Sequence, residues 1–305
     1  MKIIYAGTPQ FAVAPLEALM KKVEIAAVIT QEDRPFGRRG VLTPPPVKVC
    51  AQAAGIPVFQ FDKIRAHVDE LKALGADAMF TCAYGQLLSQ EVLNVFPLGV
   101  WNAHASLLPL HRGASPVQSA MLAGERTTGV TIMKTELALD SGDILLVKRC
   151  AINEGETCGE LSQKLSALSA EALCEAADMI AEGDVNLLLQ DESAATFCKK
   201  IKKEDAKVDF SASAEKVCAL INAMSPSPAA HCLFAGKPLN LYRAFVAEDC
   251  DGQAGQLAAV SKNGIIIKCG VGAVRVTEAQ FAGGKRLTAA DIANGRKLSV
   301  GDILE

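Results

Sequence analysis

M-K-I-I-Y-A-G-T-P-Q-F-A-V-A-P-L-E-A-L-M, residues 1–20, is the stretch that decides the fold of this 305-residue chain. Residues 2–6 form a short, largely apolar run, and Gly7-Thr8-Pro9 interrupts it. After this turn, apolar side chains recur at positions 11, 13, 16, 19 and 20, which is the spacing of one helix face. The stretch therefore predicts a buried strand, a sharp turn and an amphipathic helix.

Further buried-strand patterns follow at 25–29, 76–82 and 100–104, with helical stretches among them. Alternation of strands and helices favours a mostly parallel α/β sheet. Ligands bind such open sheets at the carboxyl ends of their strands. We therefore predict a Rossmann-like domain whose functional residues lie near the end of strand 100–104. The first turn has no G-x-G-x-x-G motif, which disfavours a dinucleotide cofactor.

The second half of the chain predicts antiparallel strands and a helix first, then a charged segment, and finally a small β-domain. Residues 127–136 and 143–152 are predicted to form antiparallel ribbons, and T-C-G-E at 157–160 has the form of a capping box that opens a helix ending at Gly183. K-K-I-K-K-E-D-A-K at 199–207 indicates a linker or a solvated charged face. Beyond 231, hairpin turns and short strands predict a small OB-like β-barrel. We predict a catalytic domain at 1–198, a linker at 199–210 and an OB-like domain at 211–305.

Composition narrows the class of protein. The longest apolar runs stay well below the roughly 20 residues that a membrane span needs. Ten cysteines without C-x-x-C spacing indicate reduced thiols in a cytoplasmic protein. A net charge of −3 argues against bulk attraction to nucleic acid, so any such contact must be local. The four histidines are widely spaced, and we expect no metal, no membrane and, by default, a monomer.

Three polar residues stand out at predicted strand ends and turns. Asn102 and His104 are two residues apart, so a strand places both side chains on one face, while Asp140 falls in the turn L-D-S-G-D. Acyl transfer to an amine needs donors for the developing oxyanion and a group that moves a proton. Asn102 and His104 supply donors; Asp140 orients the imidazole and favours its cation, or takes the amine proton through a water.

Each residue also has a simpler interpretation. His104 is equally explained as a hydrogen-bonded strand histidine, Asn102 as a partner of a buried backbone group, and Asp140 as the cap of the turn before Gly142. Together these interpretations require three polar residues in mostly apolar surroundings without a common reason, so we favour the catalytic one.

Two long motifs carry a resemblance to a known family. N-A-H-A-S-L-L-P-L-H-R-G-A-S-P-V-Q at 102–118 and G-V-T-I-M-K-T-E-L-A-L-D-S-G-D-I-L at 129–145 resemble the signature of the formyltransferases that use 10-formyltetrahydrofolate. The opening residues, T-Q-E-D-R-P-F-G-R-R-G at 30–40 and A-T-F-C-K-K-I-K-K at 195–203 are similar to the branch that formylates methionyl-tRNA. The resemblance covers essentially the whole chain. Trp101, Ser115 and Ser227 depart from the residues that are usual in the family.

The resemblance implies roles for individual residues. It assigns catalysis to Asn102, His104 and Asp140. It implies contacts with the folate at Tyr84, Gly85, Gln86, Leu87, Ser106, Leu107, Leu108, Pro109, Leu139 and Asp143. It also implies that a basic loop meets the tRNA acceptor end through Arg34, Arg38 and Arg39, although an ordinary exposed loop is the alternative. Arginine contacts to phosphates would make the affinity fall as salt rises.

The expected activity is transfer of a formyl group from 10-formyltetrahydrofolate to the α-amino group of methionine on initiator methionyl-tRNA, for translation initiation. A formyltransferase acting on a nucleotide-linked amino sugar or a purine precursor would use the same three residues. A formate-releasing hydrolase and a non-catalytic RNA-binding module are the rivals from other classes. Formylation of charged tRNA, tested beside uncharged tRNA and amino-sugar nucleotides, separates these possibilities.

Overall fold

A computed structural model of the chain describes residues 1–37 and 40–305, which fold as two compact units. The first unit comprises Met1–Gly113, Thr128–Cys150 and Ser162–Phe197. The second comprises Ala114–Thr127, Ala151–Leu161 and Cys198–Glu305. The exact positions of the predicted domain boundaries and linker remain predictions.

The strands up to residue 198 are β1 (Lys2–Gly7), β2 (Glu24–Thr30), β3 (Arg34–Phe36), β4 (Val41–Thr43), β5 (Val58–Gln60), β6 (Ala78–Cys82), β7 (Val100–His104), β8 (Arg112–Gly113), β9 (Thr127–Lys134), β10 (Ile144–Ala151) and β11 (Phe197–Cys198). The α-helices up to residue 182 are α1 (Val13–Leu19), α2 (Pro46–Ala53), α3 (Val68–Ala73), α4 (Gln90–Leu93), α5 (Pro116–Leu122) and α6 (Cys158–Glu182).

Seven strands form the main sheet, in the order β10-β9-β7-β6-β1-β2-β5. The pairs among β5, β2, β1, β6 and β7 are parallel, whereas β9 runs antiparallel to β7. β1 and β6 are the most deeply buried, since every residue of β6 and five of six in β1 are buried. The predicted strand–turn–helix opening, the parallel sheet and the strand at 100–104 are confirmed.

One face of this sheet carries a continuous apolar cluster that includes Ile4, Ile29, Met79 and Val100. Because strand side chains alternate between faces, Trp101 lies on the opposite face from Val100 and Asn102. Its side chain is 2% exposed, and its indole Nε1 donates to the carbonyl of Leu98 at 2.9 Å. Burying the largest side chain on one face thus leaves the other face of β7 for Asn102 and His104.

The second unit contains an all-antiparallel sheet around its own core. Its strands are β12 (Ala230–Phe234), β13 (Lys237–Ala247), β14 (Leu257–Ser261), β15 (Gly264–Lys268), β16 (Ala273–Phe281) and β17 (Leu287–Thr288), and its remaining helices are α7 (Ala214–Ala223) and α8 (Ala289–Asn294). The order is β12-β13-β16-β15-β14, with β17 beside β16. The predicted antiparallel strand domain is confirmed, and α8 adds a helix that the sequence pattern beyond residue 231 did not predict.

The predicted capping box at the start of α6 is formed. The backbone N–H and the hydroxyl of Thr157 both donate to Glu160 Oε2 at 2.9 Å, and the Glu160 N–H donates back to Thr157 Oγ1 at 3.4 Å. Arg243 Nη2 donates to the other carboxylate oxygen of Glu160. Burial alone would raise the pKa of Glu160, but the hydrogen bonds from Thr157 and Arg243 outweigh it and hold the pKa at about 2.

We expect Glu160→Gln to lower the free energy of unfolding by about 1 kcal/mol at pH 7, because the cap and the ion pair weaken. The folded pKa lies below the ordinary value of 4.5, so this stabilisation is complete above that pH and is lost as the pH falls towards 2. Urea unfolding at pH 7 and pH 4 should show a smaller difference from wild type at pH 4. Glu171→Gln, at an exposed position of the same helix, is the control. An equal difference at both pH values would contradict this account.

Candidate active site

Asn102 is positioned by the neighbouring parallel strand. In the register of β6 with β7, Thr81 stands opposite Asn102, and the Thr81 hydroxyl donates to Asn102 Oδ1 at 2.9 Å. Thr81 is 6% exposed, so this hydrogen bond is shielded from bulk water. With Oδ1 occupied, the Nδ2 group of Asn102 is the end of the amide that can donate to a ligand.

His104 is buried at the carboxyl end of β7, with 5% of its surface exposed. Its Nε2 lies 3.0 Å from the backbone oxygen of His111. A carbonyl only accepts, so Nε2 carries a proton and the other ring nitrogen faces the site. His111 itself has a φ of 58°, in the left-handed region, where its backbone presents that carbonyl to the ring.

Asp140 approaches the imidazole from the loop between β9 and β10. Its Oδ2 lies 3.7 Å from His104 Nδ1 and accepts a hydrogen bond of 2.8 Å from the Gly113 N–H. A separation of 3.7 Å is an ion-pair distance but too long for a hydrogen bond. The structure therefore brings Asp140 to His104 as a nearby carboxylate, and the backbone of Gly113 is its direct hydrogen-bond partner.

The three predicted catalytic residues thus belong to one constellation. Asn102 and His104 share a face of β7 by strand alternation, and Asp140 lies beside the His104 ring. Such a group offers an amide N–H, an imidazole N–H and a carboxylate at the end of a buried strand. These are the donors and the proton acceptor that an acyl transfer to an amine requires.

The segment after β7 is tied to the strand beside it. Thr131 stands opposite His104 on β9; its hydroxyl donates to the Ser106 carbonyl at 2.8 Å and accepts from the Leu108 N–H at 3.1 Å. The hydroxyl of Ser106 donates to the carbonyl of Leu110 at 2.6 Å. Four predicted folate contacts, at 106–109, therefore lie in a turn held directly against the strand that faces His104.

The predicted folate contacts at 84–87 differ in their exposure and in whether other residues already use their polar groups. The Gln86 amide is used inside the fold, because it accepts from the Ile64 N–H and donates to the Phe61 carbonyl, both at 2.8 Å. Leu87 is 78% exposed. Tyr84 is 4% exposed, burial raises the pKa of its phenol, and its hydroxyl has no hydrogen-bond partner among the described residues.

A cleft of about 830 Å³ opens beside the start of β7. Its walls include Leu93 of α4, Val100, Trp101 and the loop residues Thr135 and Leu137. The Thr135 hydroxyl is buried without a partner among the described residues. None of the predicted folate contacts lines this cleft. No local sequence pattern indicates this cleft, because it forms where α4, the start of β7, the 135–138 loop and residues 180–187 meet.

The predicted basic loop contains a short hairpin. Arg34 lies on β3, which pairs antiparallel with β4, and its Nη2 donates to Gln31 Oε1 at 3.3 Å. Arg38 and Arg39 lie outside the described residues, so their predicted roles stay predictions. Within 1–37 and 40–305, no three His, Cys, Asp or Glu side chains are grouped to hold a metal ion, and no helix is both long and apolar enough to cross a bilayer.

Two family models together match most of this chain. Residues 1–177 match the family model described as formyl transferase, and residues 200–297 match the formyl transferase C-terminal domain. The methionyl-tRNA formyltransferase of Coxiella burnetii (strain RSA 331 / Henzerling II) is 41% identical over 287 residues, which cover 93% of this chain and 91% of the relative. That of Xanthomonas campestris pv. campestris (strain 8004) is 43% identical over 290 residues, 93% of this chain and 94% of the relative.

Among solved structures, HypX from Aquifex aeolicus in complex with tetrahydrofolic acid has a TM-score of 0.67 and 17% identity over 99% of this chain. This chain spans 48% of that longer protein, and the likeness shows the fold alone. The two family models and the relatives above 40% identity cover nearly the whole sequence. The chain therefore belongs to the methionyl-tRNA formyltransferase family.

Proposed function

We propose that this protein transfers the formyl group of 10-formyltetrahydrofolate to the α-amino group of methionine on initiator methionyl-tRNA, as a cytoplasmic monomer serving translation initiation. The observation that carries the proposal is the pairing of buried His104 with Asp140 at the end of the strand that also carries Asn102. Membership in the family supplies the substrate class, and the site supplies the chemistry.

Asn102 and His104 stabilise the negative charge that develops on the formyl oxygen. Thr81 occupies Asn102 Oδ1, which leaves Nδ2 to donate. His111 occupies His104 Nε2, so Nδ1–H of the imidazolium is the second donor. The Asp140 carboxylate, 3.7 Å from Nδ1, attracts the positive ring without consuming its hydrogen bond.

Asp140 also moves the proton of the attacking amine. Its Oδ2 is engaged by Gly113 and faces His104, which leaves Oδ1 to accept that proton directly or through a water. His104 then gives its Nδ1 proton to the departing folate nitrogen, and the proton held by Asp140 passes to the neutral imidazole, so both groups return to their starting states. Neither step needs a side chain beyond this constellation.

We place the folate at the carboxyl end of β7, against the residues that the family resemblance assigns to it, which are those at 84–87, 106–109, Leu139 and Asp143. The turn at 106–109 supports this placement, because Thr131 ties it to β9 beside His104. The cleft of about 830 Å³ at the start of β7 contains none of these residues and lies at the other end of the strand, so the proposal gives it no part in folate binding.

The decisive experiment offers 10-formyltetrahydrofolate together with methionine-charged initiator tRNA, uncharged tRNA or amino-sugar nucleotides, and measures the formylated product. We expect formylmethionyl-tRNA and no product from the other acceptors. Formylation confined to the nucleotide sugars would overturn the proposed substrate. Formate release that does not depend on any amine would overturn the transfer reaction itself.

We expect Asp140→Asn to lower kcat for formylation on the order of a hundredfold or more, with little change in KM, because the charge opposite His104 and the proton acceptor are both lost. The asparagine oxygen can still accept from the Gly113 N–H, so the loop should stay in place. Asp69→Asn, at a side chain 99% exposed, is the matched control. Normal single-turnover rates in Asp140→Asn would remove Asp140 from the mechanism.

Thr81→Val should lower kcat about tenfold, because Asn102 loses the hydroxyl that fixes its amide. Asn102→Ala should cost on the order of a hundredfold, the usual effect of one oxyanion donor. If Thr81 acts only through Asn102, then Thr81→Val causes no further loss in the Asn102→Ala background. Thr81→Ser, which keeps the hydroxyl, should restore most of the activity. Fully additive losses would contradict this coupling.

Arg34→Ala should weaken binding of methionyl-tRNA and make it less dependent on salt, because one phosphate contact is removed. Each lost contact reduces the slope of log affinity against log salt by about 0.9. Filter binding at several salt concentrations measures both effects. Arg65→Ala, at an exposed position elsewhere in the first unit, is the control. An unchanged slope would separate Arg34 from the tRNA.

A further inference from the structure

The side-chain amide of Gln190 is fully engaged around Asp140. Its Nε2 donates to the backbone carbonyls of Asp140 at 2.9 Å and Gly142 at 2.7 Å. Its Oε1 accepts from Arg112 Nη2 at 2.8 Å and Nε at 3.1 Å. Arginine can only donate and carbonyls can only accept, so a single orientation of the amide satisfies all four contacts. Gln190 therefore clamps the loop that carries Asp140.

The side chain of Arg112 anchors Gln190. Its side chain is 3% exposed. Besides the fork to Gln190, it donates from Nη1 to Glu192 Oε2 at 2.9 Å and from Nη2 to Oε1 at 2.6 Å. Hydrogen bonds from Arg112 lower the pKa of the Glu192 carboxyl. A buried guanidinium with two planar partners has almost no freedom to move.

The backbone around Arg112 contacts both members of the proposed catalytic pair. The carbonyl of His111 lies against His104 Nε2 at 3.0 Å, and the N–H of Gly113 donates to Asp140 Oδ2 at 2.8 Å. The Arg112 side chain then returns through Gln190 to the backbone of Asp140 itself. The Gly113 N–H thus holds the Asp140 carboxylate and Gln190 holds the Asp140 carbonyl. Both are connected to Arg112, one through the backbone and the other through its side chain.

Asp140 needs such a tether because of its backbone. Its φ of 50° lies in the left-handed region, which an L-residue enters only at a cost. Residues in this conformation persist where the surroundings over-determine it. Without Gln190, the loop can relax towards an ordinary conformation and withdraw the carboxylate from His104.

We propose that Gln190 and Arg112 are positioning residues for formyl transfer, which set the distance between the Asp140 carboxylate and the His104 ring. The inference rests on the proposed roles of His104 and Asp140. It extends the site to a segment 50 residues beyond Asp140 in sequence, which touches neither the formyl donor nor the amine in this proposal.

The test uses the full-length protein with Gln190→Met, which keeps the length of the side chain but removes its hydrogen bonds. We expect kcat to fall between tenfold and a hundredfold, with KM for both substrates within about twofold of wild type. The loss should be much smaller in the Asp140→Asn background, because both changes disable the same carboxylate. Gln52→Met, at an exposed position of α2, is the control.

A second readout does not depend on activity. The Gly113 amide proton is protected by its hydrogen bond to Asp140, so its hydrogen exchange should accelerate at least about tenfold in Gln190→Met while the amides of β6 keep their protection. If the protein does not formylate methionyl-tRNA yet this exchange still accelerates, the proposed function fails and the clamp stands. Wild-type kcat with unchanged Gly113 exchange overturns the clamp.

Gln190→Glu covers the case in which Gln190→Met does not fold. The carboxylate keeps the pair with Arg112 but turns an acceptor towards the carbonyls of Asp140 and Gly142, so the same loss of kcat and the same faster Gly113 exchange are expected. Wild-type values of both in this variant would equally overturn the proposal.

Discussion

The alternation of side chains along β7 is the constraint on which the rest of the site depends. A strand in the middle of a sheet must bury both faces, and β7 buries Trp101 on one and carries Asn102 and His104 on the other. Polar groups at such depth require partners, since an unpaired one costs about 1–3 kcal/mol. Thr81 supplies the partner for Asn102 and the His111 carbonyl supplies the partner for His104. Each partner occupies one end of its side chain, so the other end is the donor that the proposed mechanism offers to the substrate.

Asp140 is held in place by different contacts, because it lies in a loop and not in a strand of the sheet. Its left-handed backbone costs roughly 1–2 kcal/mol, which the two hydrogen bonds from Gln190 Nε2 to the loop carbonyls and the bond from Gly113 offset. The carboxylate is thereby held near the imidazole but not in hydrogen-bond contact with it. A direct hydrogen bond would compete with the substrate for the Nδ1 proton, so the separation of 3.7 Å suits an oxyanion donor better than a shorter one.

Local patterns predicted much of this molecule, and non-local contacts account for what they missed. The strand at 100–104, with Asn102 and His104 on one face, was visible in the sequence, as were the capping box at Thr157 and the turn that carries Asp140. The partner of Asn102 was not visible, because it depends on the register of β6 against β7, and three other threonines precede this strand. Gln190 was invisible for the same reason: nothing near it in sequence indicates that the chain after α6 returns to the 140–142 loop. The sequence also cannot show that the Gly113 N–H donates to the Asp140 carboxylate oxygen nearest the His104 ring.

Charge balance explains why a buried arginine can stand in this network at all. The Arg112 backbone lies between the two peptide groups that contact His104 and Asp140, so an uncompensated guanidinium there would repel an imidazolium and draw the Asp140 carboxylate away from it. Glu192 removes that conflict by taking both Nη groups of Arg112. The neutral Gln190 amide then links the Asp140 loop to the rigid Arg112 side chain, and it brings no charge to the loop. A carboxylate at position 190 would bring a second negative group to the loop, and a second amide at 192 would leave the guanidinium unbalanced. In the proposed mechanism, the neutral residue next to the loop and the charged one beyond it therefore leave His104 and Asp140 as the pair of opposite charges at the reacting centre.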